Sequence, residues 1–270
     1  MGYIIGLALA VFVLWWGFSR LRKYRQRHQL KQERLPPALK QLAWRNVPLL
    51  SQLSAAQQEK LEGLINVFLA EKRFTGFDGL EITDEIRVTV AAQACLLILN
   101  RERGFYSELV NIYMYPSAFV SKYETVIDGV IHSDYKARLG ESWLRGPVVL
   151  SWQDAHHGGL NPDDGHNVVY HEFAHQLDQQ TGATDGFPKM DASLEPEWAR
   201  VMEHHYRTLQ ADAAAGRASL LDHYGATNPA EFFAVATETF YEKPEQLKRE
   251  HPDLYKQLAV FYGMDLAELL

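Results

Sequence analysis

Apolar and polar positions divide the chain into an uncharged N-terminal stretch, two helical blocks, a β-like centre and a second set of helices. Ser54 and Gln57 have the spacing of a capping box and open a helix predicted over residues 54–69. Thr83, Asp84 and Glu85 open the next, which runs to residue 99 through the apolar stretch around Cys95. The pattern then changes. Residues 109–115, 124–131 and 147–152 are short runs rich in aromatic and β-branched side chains, and they predict strands. Helical spacing returns from residue 166 and recurs at 196–210, 229–241 and 252–262, where Pro196, Pro229 and Pro252 suit a first helical turn. Helices, a small mixed sheet and helices again predict an α+β fold. The strand at 148–152 reads either as an ordinary core strand or as an edge strand open to backbone pairing with an extended segment.

Residues 1–18 carry no charged side chain, and Arg20, Arg22, Lys23, Arg25, Arg27, Lys31 and Arg34 follow against Glu33 alone. An apolar run of this length is near the short limit for a membrane span, with Trp15 and Trp16 as interfacial residues. A cleaved signal peptide would have its basic residues before the apolar run, not after it. The expectation is a single-pass anchor in the bacterial inner membrane, with the basic flank holding the rest of the chain on the cytoplasmic face. The predicted organisation is an anchor at 1–19, a basic juxtamembrane linker at 20–40 and one globular domain at 41–270. The basic run serves as a topology signal or lies on anionic headgroups.

The chain carries 27 basic and 34 acidic residues, a net −7. Residues 1–37 hold +6 of this, which leaves −13 on the remainder. So acidic a domain is a poor direct binder of nucleic acid. Cys95, the single cysteine, excludes an intramolecular disulfide and reads as a packed core residue.

The chemistry centres on His171-Glu172-Phe173-Ala174-His175. Two histidines four apart on a helix share one face, so both imidazoles reach one metal ion, and the intervening glutamate can serve an attacking water. Asn167 and its neighbours offer caps for such a helix, and Gly182 and Gly186 lie beyond its end. A catalytic zinc needs a third protein ligand. A third histidine six residues on is excluded, because that position is Thr181. Glu195 has the spacing of thermolysin-like enzymes but precedes Pro196, which disfavours helical backbone at Glu195 and makes it a cap. Glu231 and Glu238 lie on one stripe of an otherwise apolar helix, where carboxylates are costly to bury without a partner. Residue physics leaves these two tied. Asp178 reads either as a group orienting an imidazole or as a helix cap, and Glu238 is the preferred group for orienting His171 or His175. His156 and His157 fall in a Gly-rich, loop-like stretch, and His204 and His205 read as facing the surface or a partner.

The segments Tyr170-His171-Glu172-Phe173-Ala174-His175-Gln176-Leu177-Asp178 and Asn228-Pro229-Ala230-Glu231-Phe232-Phe233-Ala234, together with Tyr224, resemble the Mlc titration factor A family of zinc-dependent peptidases. The likeness extends to residues 74–95 and to Gly146-Pro147-Val148-Val149-Leu150-Ser151-Trp152. It implies a zincin-like (gluzincin) domain, similar to the catalytic domain of anthrax lethal factor, with aminopeptidase-like activity. It also implies that Glu231 is the third zinc ligand and Tyr224 a catalytic helper. Zn2+ held by His171, His175 and Glu231, with Glu172 as general base, then gives peptide hydrolysis. The resemblance implies a peptide or protein substrate as partner; the membrane is expected only from the N-terminal apolar run, where the chain departs from the best-known soluble member of the family. A second reading, also from the resemblance, is a membrane-tethered regulatory protein that sequesters a transcriptional repressor of sugar uptake, with the zinc site secondary.

Overall fold

The computed structural model describes the backbone of residues 2–101, 105–127, 130–138, 140–142 and 146–269, with side chains described outside 1–14 and 119–145. In chain order, α1 spans Gly2–Gln32, α2 Pro37–Asn46, α3 Ala55–Glu71, β1 Arg73–Gly76 and α4 Asp84–Leu96. Strands β2 (Asn111–Tyr115), β3 (Phe119–Ile127), β4 (Val130–Arg138), β5 (Gly140–Ser142) and β6 (Val148–Ser151) follow. Then come α5 (Trp152–Leu160), α6 (Val168–Asp178), α7 (Glu195–Ala215), α8 (Pro229–Glu242), α9 (Pro244–Glu250) and α10 (Pro252–Tyr262).

The main sheet has the order β1-β2-β6-β5. Its first three strands are parallel, with Phe74 beside Ile112 and Ile112 beside Val148, and β5 runs antiparallel to β6. Strand β2 alternates: Ile112 and Met114 are buried, while Tyr113 and Tyr115 meet Phe77 at ring distances of 5.1 and 5.2 Å. Strand β6 is buried throughout and pairs on both sides, so it is an interior strand whose backbone groups are already used. The edge reading of 148–152 is therefore set aside. The strand predicted over 124–131 is split between β3 and β4, which pair antiparallel with Ile127 beside Val130; residues 128–129 lie outside the described residues.

Helix packing completes the fold. Ser54 and Gln57 form the capping box that starts α3. α3 and α4 lie against each other, and α6 lies between the sheet side and α8. Aromatic contacts pack around α8: Phe233 with Trp198 at 5.8 Å, Phe240 with Tyr262 at 5.6 Å, and Tyr170 of α6 with Tyr241 at 4.9 Å. The buried core runs from Leu35 to Leu266.

The N-terminal expectation is corrected. No helix among the described residues is long and apolar enough to cross a membrane, so the single-pass inner-membrane anchor is withdrawn. The side chains of residues 1–14, which carried much of that expectation, lie outside the described residues. Helix α1 continues without a break through the basic segment, so the charges belong to the same helix as the apolar run. Its charged half also packs on the domain. Arg27 Nη2 donates to Glu71 Oε2 of α3 at 2.7 Å, and the Asn66 amide donates to the Glu33 carbonyl at 2.8 Å.

Candidate metal centre

Asn167 sets the direction of α6. Its Oδ1 accepts the amides of Val169 and Tyr170 at 3.1 and 3.0 Å, and its Nδ2 donates to Gln93 Oε1 and the Gly158 carbonyl, both at 2.9 Å. A buried cap with its polar atoms used on both sides leaves the first turn little freedom. The opposite face of α6 is held by Phe173, whose ring lies 5.7 Å from Phe68 and 4.8 Å from Tyr106. Truncating such a ring to alanine costs about 3–5 kcal/mol. His171 and His175, one turn apart, are thereby aimed at α8.

Helix α8 begins at Asn228, whose Oδ1 accepts the Glu231 amide at 3.0 Å, with Pro229 in the first turn. Glu231 thus sits in the first turn, facing the two imidazoles. Its Oε2 lies 2.9 Å from His171 Nε2 and 3.3 Å from His175 Nε2, and the two Nε2 atoms are 3.2 Å apart. Ligands about 2.0–2.1 Å from a tetrahedral zinc stand roughly 3.3 Å from one another. The triangle therefore fits zinc in both size and donor chemistry. Among the described residues these three form the group of His, Cys, Asp and Glu side chains that could hold a metal ion.

Glu238, two turns along α8, meets the other side of the first imidazole. Its Oε1 lies 2.7 Å from His171 Nδ1 and its Oε2 accepts the Asn167 amide at 2.6 Å. The Nδ1 proton is then directed at Glu238, which leaves the Nε2 lone pair for a metal. Burial disfavours a charged His171, but Glu238 and Glu231 outweigh it and raise the pKa well above the usual histidine range, so a metal at Nε2 would have to displace the proton that Glu231 otherwise accepts. Burial likewise acts against charge on Glu231, yet hydrogen bonds from His171 and His175 keep it an anion, far below the usual carboxylate range. Glu172 follows His171 on α6 and is 5% exposed.

Tyr224 lies in a 3-10 turn, His223–Ala226, just before α8. Asp222 Oδ1 accepts its amide at 2.7 Å. Its ring is 5.9 Å from the His171 ring and its side chain is largely exposed, which puts it on the rim of the site. Glu195 is the first residue of α7, with Leu194 and not Glu195 at the cap position; it is exposed and stands outside the ligand group. Asp178 is fully buried at the end of α6, where burial pushes its carboxyl up to about 6. Its Oδ2 accepts the Gly186 amide at 2.8 Å, so it ties down the following loop, and His175 acts on it through charge.

Other histidines fall elsewhere. His156 and His157 belong to α5 and not to a loop. His205 is buried and bonds Asp253 of α10 at 2.8 Å, against the surface reading, while His204 is exposed. The sequence reading missed the Asn167–Glu238 contact and the cap that Asp222 gives the Tyr224 turn. An Asx residue two before Tyr224 was the available signal for the latter.

Residues 21–263 match the model of the glucose-regulated metallo-peptidase M90 family. The chain belongs to this family. It is 32% identical to Mlc titration factor A of Yersinia pestis (strain Pestoides F) and of Yersinia pseudotuberculosis (serotype O:1b), over 82% of both chains in each case. It is also 38% identical to an uncharacterised protein of Synechocystis sp. (strain ATCC 27184 / PCC 6803 / Kazusa), over 97% of this chain and 96% of that one. Membership implies a metallopeptidase-like function and a metal, and His171, His175 and Glu231 supply a set of residues that can hold it.

Proposed function

We propose that this chain is a zinc-dependent peptidase with aminopeptidase action, in which Glu172 is the general base and His171, His175 and Glu231 hold the zinc. The observation that carries this reading is the convergence of two Nε2 atoms and one carboxylate oxygen within 3.3 Å, backed by Glu238 on His171 Nδ1. A zinc ion bound there would act as a Lewis acid toward a water and the scissile carbonyl. Glu172 takes the proton of the attacking water and returns it to the leaving amine. Tyr224 donates its hydroxyl to the oxygen on which negative charge develops. Glu238 keeps the His171 ring in one tautomer throughout. A closed structural site would ordinarily use four protein ligands and need no base beside them. Three converging ligands next to Glu172 favour the catalytic alternative.

Digestion of a peptide library with and without a chelator tests the proposal. Chelator-sensitive release of N-terminal residues supports it. Cleavage confined to internal bonds would leave the peptidase and remove the aminopeptidase assignment. No cleavage by zinc-loaded protein would reject both.

The Yersinia relatives carry the name Mlc titration factor A, and this supports a second role, the binding of a transcriptional repressor. Co-purification of purified chain with purified Mlc tests it, and failure to associate would reject it.

A further inference from the structure

Loop 182–187 lies between the two helices that carry the ligand set. The Gly186 amide donates to Asp178 Oδ2 at 2.8 Å, which fastens the loop to the last residue of α6. The Gly186 carbonyl accepts Trp198 Nε1 of α7 at 3.3 Å. Gly186 has φ +76°, and a Cβ there would stand 2.4 Å from the Pro229 carbonyl oxygen, so the loop backbone rests on the first turn of α8. A side chain at this position would both strain the backbone and push the loop away from α8.

These contacts put Thr184 and Asp185 on one wall of a cavity of about 320 Å³, whose other wall carries His175, Glu231 and the start of α8. The volume is at the small end of ligand sites and suits one end of a peptide more than a long segment. The lining holds no lysine or arginine among the described residues, and its apolar side chains, Pro229 and Ala230, are short. Thr184, Asp185 and Asn228 give this cavity groups that can bind by charge and hydrogen bonding. His175 and Glu231 are committed to the ligand set. Asp185 is exposed, and its Oδ1 accepts the Phe187 amide at 3.1 Å, which orients the carboxylate without neutralising it.

We propose that Asp185 determines specificity in this cleft by binding a positively charged group of the peptide substrate. The inference rests on the peptidase reading above and names the substrate class. A peptide can offer that charge as its N-terminal ammonium or as a lysine or arginine side chain, and both would make the same charge-assisted hydrogen bond.

The test uses one peptide in four forms, with a free or acetylated N-terminus crossed with lysine or norleucine beside the scissile bond. Asp185→Asn is the informative variant. Its side-chain carbonyl still accepts the Phe187 amide, so the loop is kept while the charge is removed. Zinc-loaded wild-type chain should favour the cationic forms by about tenfold or more in KM, with the preference shrinking as salt is raised. Asp185→Asn should abolish that preference, with KM moving more than kcat, and Asp185→Glu should restore part of it. The form whose advantage is lost identifies the source of the charge. A preference retained in Asp185→Asn, or no preference in wild type, overturns the proposal. Calorimetry on Glu172→Gln with and without Asp185→Asn, using the same uncleaved peptides, separates this from the peptidase reading. Charge-selective binding that disappears with Asp185→Asn supports the role of Asp185 even if wild type cleaves nothing, and that last result would overturn the peptidase reading alone. Equal binding of all four peptides to Glu172→Gln overturns the role of Asp185.

Discussion

Glu238 grips His171 from the side away from the ligand triangle: Oε1 lies 2.7 Å from His171 Nδ1, and Oε2 accepts the Asn167 amide at 2.6 Å. One carboxylate thus joins the orientation of the imidazole to the cap of the helix that carries it. Glu238→Gln cannot serve both, because one end of an amide is a donor and would face an N–H. Zinc affinity should fall about 10- to 100-fold with the helical content kept. Chelator competition followed alongside circular dichroism measures this, and unchanged affinity would remove Glu238 from the support of the site.

Glu231 and Glu195 should separate cleanly. Glu231 faces both Nε2 atoms, whereas Glu195 is exposed at the start of α7. Metal analysis of purified variants should find zinc largely lost from Glu231→Ala and retained near one ion per chain in Glu195→Ala. Full occupancy in Glu231→Ala would contradict the ligand assignment.

Tyr224→Phe keeps the ring beside His171 and removes only the hydroxyl. Turnover should fall by roughly ten- to a thousand-fold, with KM and zinc content little changed, because the hydroxyl acts on charge that develops in the transition state. Full turnover in this variant would leave the tyrosine as a packing residue.

Glu242 offers a pH test outside the ligand set. It is buried, its Oε2 accepts the Gly165 amide at 2.9 Å, and burial, with Asp164 and Glu238 nearby, moves its carboxyl from 4.5 up to about 9. A raised acid binds its proton more tightly in the folded state. The linked stability is complete below 4.5 and is lost as pH rises through about 9. Glu242→Gln fixes the neutral form. Its denaturation midpoint should therefore fall less between pH 5 and pH 9 than that of wild type, and parallel profiles would show that Glu242 is not the group responsible.

Much of this site is local in sequence, and that part was legible. The spacing of His171 and His175 places both on one face, Asn228 and Pro229 open the helix of Glu231, and Ser54 with Gln57 starts α3 as read. The tie between Glu231 and Glu238 has a physical cause. Both carboxylates do face α6, one toward Nε2 and the other toward Nδ1, and helical periodicity cannot say which nitrogen each one meets.

Other features depend on tertiary contact. Gly158 and Gly159 look like loop residues, yet they lie inside α5, where they permit close approach: a Cβ would meet Asn167 Cγ at 3.0 Å in one case and the Asn46 carbonyl oxygen at 2.7 Å in the other. Strand β1 is four residues long and begins with Arg73, too short for a period-two pattern to stand out. Residues 124–131 were read as one strand although Asp128-Gly129 is a strong hairpin signal between β-branched runs. At the N-terminus the uncharged stretch was plain in the sequence. The continuation of its helix through the basic segment and onto α3 depends on contacts 33 and 44 residues away, Glu33 with Asn66 and Arg27 with Glu71.

The central claim is that Glu172 performs proton transfer at a zinc site built by His171, His175 and Glu231. Peptide turnover by zinc-loaded Glu172→Gln tests it most directly, with metal content and melting measured on the same sample. The amide cannot accept the proton of water, so zinc content and fold should match wild type while hydrolysis is lost. Wild-type turnover by folded, zinc-loaded Glu172→Gln would contradict the account.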